Sequence, residues 1–129
     1  MRYYLDSSIL LHALLPGGNK LARSWLDSVL ADGAALFSSK LLRLETARAL
    51  RREGLPTKVA EAVLVKVALV SLDDAVLKVA ELIEPHVKSL DAIHLATLIQ
   101  VDQAAALVTS DRTLSLAARQ LGINCLNPL

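Results

Sequence analysis

The chain has 129 residues, of which 53% are hydrophobic and 3% aromatic, and its formal net charge is +1. That length suits one domain over residues 1–129 with a core that needs no staples. The charge balance excludes a global basic field, no apolar run reaches the ~18 residues of a membrane span, and the lone Cys125 excludes an intrachain disulfide.

Asp6 interrupts the start too early for a secretory signal, so the cytoplasm is the expected compartment. Mean hydropathy is +0.45. With so few aromatics, Leu, Val, Ala and Ile must fill the core. The apolar excess points to helix surface that a partner or a second copy covers.

Arg2 to Leu5 is short and β-prone, and it ends at Asp6. Ser7 and Ser8 then open a helix through Leu15. Asp6 therefore stands at the carboxyl end of a strand, either as a helix cap or as part of a site. Pro16-Gly17-Gly18-Asn19 breaks the chain. Lys20 to Asp32 is an amphipathic helix stopped by Gly33, and Ala34 to Ser38 is the second strand. A helix over Lys40 to Arg52 places Glu45 beside Leu41, Leu42 and Ala49, on its apolar side. A glutamate there is either paired, with Arg48 three residues on, or part of a site. Arg43, Arg48, Arg51 and Arg52 make a basic cluster on the same helix.

Thr57 to Ala68 reads as a further helix, Leu69 to Leu72 as a short strand, and Ala75 to Glu84 as a helix preceded by Asp73 and Asp74, a pair that can ligate a metal but before a helix usually serves as cap and first-turn charge. Ser89 is placed as the cap of the next helix, which runs to Val101. That helix is apolar almost all the way round, the pattern of a buried one, yet it carries Asp91 in its first turn. Ala104 onward leads into a strand ending at Ser110-Asp111. Arg112 to Leu121 is a helix stopped by Gly122, and Ile123 to Leu126 is a last strand. Alternating strands and helices give an α/β layer fold with a mainly parallel sheet.

Asp6 and Asp111 share one local position, the carboxyl end of a strand before a helix. That edge is where open α/β sheets bind ligands. Asp91 and Glu45 lie early on two apolar helices. Four such acids brought together repel one another unless cations or protons neutralise them. Oxygen donors select hard cations such as Mg²⁺ or Mn²⁺. Such ions stabilise in-line attack of water on a phosphodiester.

Four segments carry a resemblance: Tyr4-Leu5-Asp6-Ser7-Ser8-Ile9-Leu10, Leu44-Glu45-Thr46-Ala47-Arg48-Ala49-Leu50, Ser89-Leu90-Asp91-Ala92-Ile93-His94-Leu95-Ala96-Thr97 and Val108-Thr109-Ser110-Asp111-Arg112. In this order and at this chain length they resemble the motifs of PIN-domain ribonucleases, and most of all the VapC toxins of VapBC toxin–antitoxin systems. The resemblance implies a PIN-like three-layer fold, a parallel short-stranded sheet flanked by helices. It implies a Mg²⁺- or Mn²⁺-dependent endoribonuclease that acts on RNA, forms a homodimer and is neutralised by a VapB-type antitoxin. It assigns the metal-binding and catalytic acids to Asp6, Glu45, Asp91 and Asp111, with Ser8 and Thr109 as supporting hydroxyls. Arg48, Arg51 and Arg112 are candidates for RNA contact. Many members carry a further aspartate two residues after the last acid. Thr113 stands there in this chain, which leaves a second metal site in doubt.

His94 lies one turn after Asp91, within its reach, and no serine or cysteine nucleophile motif accompanies it. A supporting or structural role is expected. The competing reading is a catalytically silent PIN-like interaction module. A phosphatase with Asp6 as nucleophile would need a second aspartate two residues on, where Ser8 stands.

Overall fold

The computed structural model describes Met1–Leu129. Its elements run β1 (Arg2–Leu5), α1 (Ser7–Leu14), α2 (Lys20–Ala31), β2 (Ala35–Ser39), α3 (Leu41–Arg52), a 3-10 turn (Thr57–Ala60) leading into α4 (Glu61–Leu64), β3 (Val67–Val70), α5 (Asp74–Glu81), α6 (Ser89–Asp102), β4 (Ala106–Val108), α7 (Arg112–Gln120) and β5 (Asn124–Leu126). The five strands form one sheet in the order β3-β2-β1-β4-β5, and every pairing is parallel.

Side-chain alternation explains the three layers. Leu5 of β1, Leu36 of β2 and Val108 of β4 enter one core with Ile9, Leu10, Leu26 and Leu42. Their neighbours Tyr4, Phe37 and Leu107 enter a second core with Leu95, Leu98 and Leu114. Successive strand residues point to opposite faces. The sheet is therefore buried on both sides, by α1 to α4 on one face and by α6 and α7 on the other. A parallel sheet requires this double cover.

The strand order creates the site. Chain connections leave β1 toward β2 on one side, and β4 pairs with β1 on the other. Such a reversal opens a crevice outside the carboxyl ends of the two central strands. Asp6 stands at the end of β1, and Thr109, Ser110 and Asp111 follow β4.

Several boundaries differ from the sequence reading. The helix expected over Thr57 to Ala68 ends at Leu64, and the strand is Val67–Val70 rather than Leu69 to Leu72. Val67 and Ala68 pair with Leu36 and Phe37, so sheet hydrogen bonds override the helical pattern there. The helix expected through Glu84 closes at Glu81, where Leu82 and Ile83 bond back to Val79 and Ala80 in tight turns. Ser89 does not cap α6. It is the first helical residue, behind Lys88, and the helix has no side-chain cap.

Nor is α6 buried all round. His94 to Leu98 are covered, whereas Leu90 is 48% exposed. Leu77 on the neighbouring α5 and Leu82 just after it are exposed too. Part of the apolar excess of the sequence thus surfaces around these two helices, and Leu21, Leu44, Val65 and Leu116 are exposed elsewhere.

Thr46 of α3 has a fully buried hydroxyl with no hydrogen-bond partner. An orphaned buried polar group costs about 1–3 kcal/mol, while replacing it by an apolar group of the same shape is neutral or better. Thr46→Val is therefore expected to raise the melting temperature or leave it unchanged. A clear fall on thermal unfolding would show that the hydroxyl has a partner.

Candidate active site

Asp6 is 6% exposed at the end of β1. Its backbone takes the N-cap position of α1, but its side chain makes no cap bond. The carboxylate turns instead to two hydroxyls. Ser8 Oγ and Thr109 Oγ1 each donate to Asp6 Oδ2 at 2.7 Å. Both hydroxyls are held in turn: the Ser110 amide donates to Ser8 Oγ at 3.1 Å and the Asp111 amide to Thr109 Oγ1 at 3.0 Å. With their protons committed to Asp6, the two hydroxyl oxygens lie 3.3 Å apart as neighbours only. Asp6 Oδ1 takes no hydrogen bond from the protein.

Glu45 does not pair with Arg48. Its Oε1 lies 2.7 Å from His94 Nε2, which joins α3 in one helical layer to α6 in the other. His94 is buried, and its Nδ1 is 2.6 Å from the Tyr4 hydroxyl. His94 and Asp91 are near enough to act on each other through charge, but the hydrogen bonds of His94 go to Glu45 and Tyr4. Burial pulls the His94 pKa down, but the hydrogen bond to Glu45 and the charges of Glu45, Asp6 and Asp91 outweigh it, so the net direction is up. Burial also pushes the Tyr4 phenol far above its ordinary range.

Asp111 is exposed, and it does cap its helix. Its Oδ1 accepts from the amides of Thr113 at 2.9 Å and Leu114 at 3.2 Å. Beside it Arg112 and Arg119 line a cleft of about 240 Å³ with Ser110 and Ser115. Arg48 and Arg51 are exposed on α3 and form no ion pair. Arg43 of the same cluster is paired with Glu61.

Asp91 has no hydrogen bond from the protein. Its carboxyl pKa is raised, first by burial and then by the charges of Asp111, Asp6 and Glu45. The four acids therefore lie within electrostatic range of one another. They do not close a tight cage, since no three acidic, histidine or cysteine side chains meet at ligating distance. A structural zinc site demands that closure. A hydrated hard cation does not, because Mg²⁺ keeps several waters and takes one or two carboxylates. The oxygen-only donor set fits the second kind of ion.

The sequence profile of the PIN domain matches residues 3–120. The chain belongs to the PIN-domain family. Ribonuclease VapC47 of Mycobacterium tuberculosis (strain CDC 1551 / Oshkosh) is 34% identical to it over 131 residues, spanning 97% of this chain and 96% of that protein. This PIN domain therefore sits on the VapC branch. Two solved structures share its fold over 98% of both chains. VapBC2 from Rickettsia felis, bound to a promoter DNA fragment, has a TM-score of 0.74 at 14% identity. A toxin-antitoxin complex from Klebsiella pneumoniae has a TM-score of 0.72 at 16% identity.

The sequence reading of this PIN domain overlooked Tyr4. The only available signal was alternation: with Leu5 on one face of β1, Tyr4 must point to the other, toward α6. Arg119 was overlooked as well, although it lies seven residues after Arg112 and hence on the same helix face.

The acid cluster has a cost that can be measured. A raised pKa means that folding disfavours the Asp91 carboxylate. That stability is complete below the ordinary carboxylate value of ~4 and is lost as pH rises through the folded value. The raised His94 pKa acts with the same sign, from ~6.5 upward. In chelator at neutral pH, Asp91→Asn is expected to melt above the parent, and the gap is expected to close as pH falls toward ~4. Adding Mg²⁺ should raise the parent's melting temperature more than the variant's. A variant that melts below the parent in neutral chelator would mean that Asp91 is not under like-charge stress.

Proposed function

We propose that this PIN domain is a VapC-type toxin, a Mg²⁺- or Mn²⁺-dependent endoribonuclease acting in the cytoplasm and neutralised by a VapB-type antitoxin. One observation carries the reading: acids at the end of β1, on α3, on α6 and in the β4–α7 turn gather at one edge of the sheet, where burial first and then the neighbouring acid charges raise the Asp91 pKa. An arrangement that strains its own acid is readily understood if a cation relieves it. The identity to a VapC ribonuclease and the toxin–antitoxin complexes with this fold support the same reading.

Asp6, Glu45, Asp91 and Asp111 would hold the ion. Bound there, it supplies Lewis-acid stabilisation of the charge that develops on the phosphate and eases ionisation of water. The protein does the rest. Ser8 and Thr109 fix the Asp6 carboxylate, so its free oxygen keeps one direction. One of the other acids accepts a proton from the attacking water. The water oxygen bonds to phosphorus in line with the departing RNA oxygen, the old P–O bond breaks, and the leaving oxygen takes a proton from solvent water. Arg48, Arg51 and Arg112 are placed to meet RNA phosphates, as charge-assisted donors do. The exposed leucines of α5 and α6 offer apolar surface that a second copy would cover.

The test is cleavage of total RNA by the purified, antitoxin-free chain with Mg²⁺, Mn²⁺ or chelator. Discrete products are expected only with a divalent ion. Folded Asp91→Asn is expected to be slower by on the order of 10²-fold or more. Equal rates for parent and variant would end the proposal. No cleavage by folded, metal-binding parent protein would favour the silent interaction module.

A further inference from the structure

Glu45 reaches the site from α3 on a long, flexible side chain. One of its oxygens is held by a hydrogen-bonded chain that begins inside the second core. Tyr4 is fully buried there, with its ring edge-on to Phe37 and to His94. The Ser39 amide donates to the Tyr4 hydroxyl at 3.2 Å. That hydroxyl has one proton to give, and His94 Nδ1 lies 2.6 Å away. A phenol that donates to Nδ1 makes that nitrogen an acceptor. In the neutral ring the proton must then sit on Nε2, which is the atom 2.7 Å from Glu45 Oε1. An ionised Glu45 can only accept, so in the neutral ring Nε2 carries the proton and Nδ1 is left to accept from the Tyr4 hydroxyl, whose oxygen already accepts from the Ser39 amide.

We propose that Tyr4 and His94 are positioning residues: the Tyr4 hydroxyl holds His94 by Nδ1, and His94 Nε2–H pins Glu45 Oε1 so that Oε2 faces the metal and the RNA. This rests on the reading of Glu45 as a metal-facing acid. Two features separate the chain from ordinary packing. An apolar residue of similar size would fill the core without holding the ring by Nδ1. The chain also ends on a carboxylate one-quarter exposed at the site rather than on a buried partner. Outer partners of this kind orient a ligand and typically account for about 10–100-fold in metal affinity or activity.

The test combines a spectroscopic signature, metal affinity and kinetics. With ring-¹⁵N histidine in the Mg²⁺-loaded parent protein, at a pH where the ring is neutral, His94 is expected to show a protonated Nε2 and a bare Nδ1. Tyr4→Phe keeps the ring and removes the hydroxyl. It is expected to weaken Mn²⁺ binding by calorimetry, and to lower kcat on RNA, each by about 10-fold with KM unchanged. His94→Asn, whose amide lies near the Nδ1 position, should lose as much or more. His94→Gln, whose amide reaches the Nε2 position, should recover most of the loss. A purely structural role would lower the melting temperature of all three without this order. A proton on Nδ1, or parent-like Mn²⁺ affinity in folded Tyr4→Phe and His94→Asn, overturns the proposal. If the parent cleaves no RNA yet Mn²⁺ affinity follows the series, the nuclease reading fails and the positioning chain stands.

Discussion

A carboxylate with almost no access to water must be given hydrogen bonds, or it will not stay charged. Asp6 receives two, from hydroxyls that come from either side of the switch point between β1 and β4. The surrounding chain path follows from that need. Ser8 supplies one hydroxyl only because α1 starts directly after Asp6. Thr109 supplies the other only because β4 lies parallel beside β1, with Leu5 opposite Val108. The amides of Ser110 and Asp111 then complete the two hydroxyls and set the turn into α7. One anchored acid thus fixes the start of one helix and the approach to another.

The same edge explains why the fold carries a cost. Two apolar cores hold the sheet on both faces, so the edge outside the strands can gather like charges without unfolding the protein. Charges assembled for function work against stability where no cation answers them. Asp91 shows this most clearly, because burial and three neighbouring acids all push its pKa upward. The unpartnered hydroxyl of Thr46, next in sequence to Glu45, is a further cost in α3.

Much of this was legible in the residues. Strand–helix alternation gave the parallel sheet, and Pro and Gly marked the breaks. Where the reading slipped, tertiary pairing had overridden local pattern. Val67 and Ala68 suit a helix face, but they complete the ladder on β2. Leu90 looks like core, yet it sits where α6 emerges onto the surface. At the site, positions were legible and partners were not. Helical spacing put His94 near Asp91 because the two share a helix. The bonds to Tyr4 and Glu45 join residues 90 and 49 positions apart, and no local rule sees across that distance.

Capping and ligand binding are also less opposed than a choice between them suggests, because a carboxylate has two oxygens. Asp6 commits Oδ2 to hydroxyls, Glu45 commits Oε1 to His94, and Asp111 commits Oδ1 to the first turn of α7. Each keeps its second oxygen free of protein partners. Anchoring one oxygen removes rotational freedom from the other, which is what a preorganised site requires. Asp91 departs from this pattern and has no anchor at all. It is therefore the acid with the most freedom to turn toward an incoming charge, and the one on which the repulsion of the other three falls.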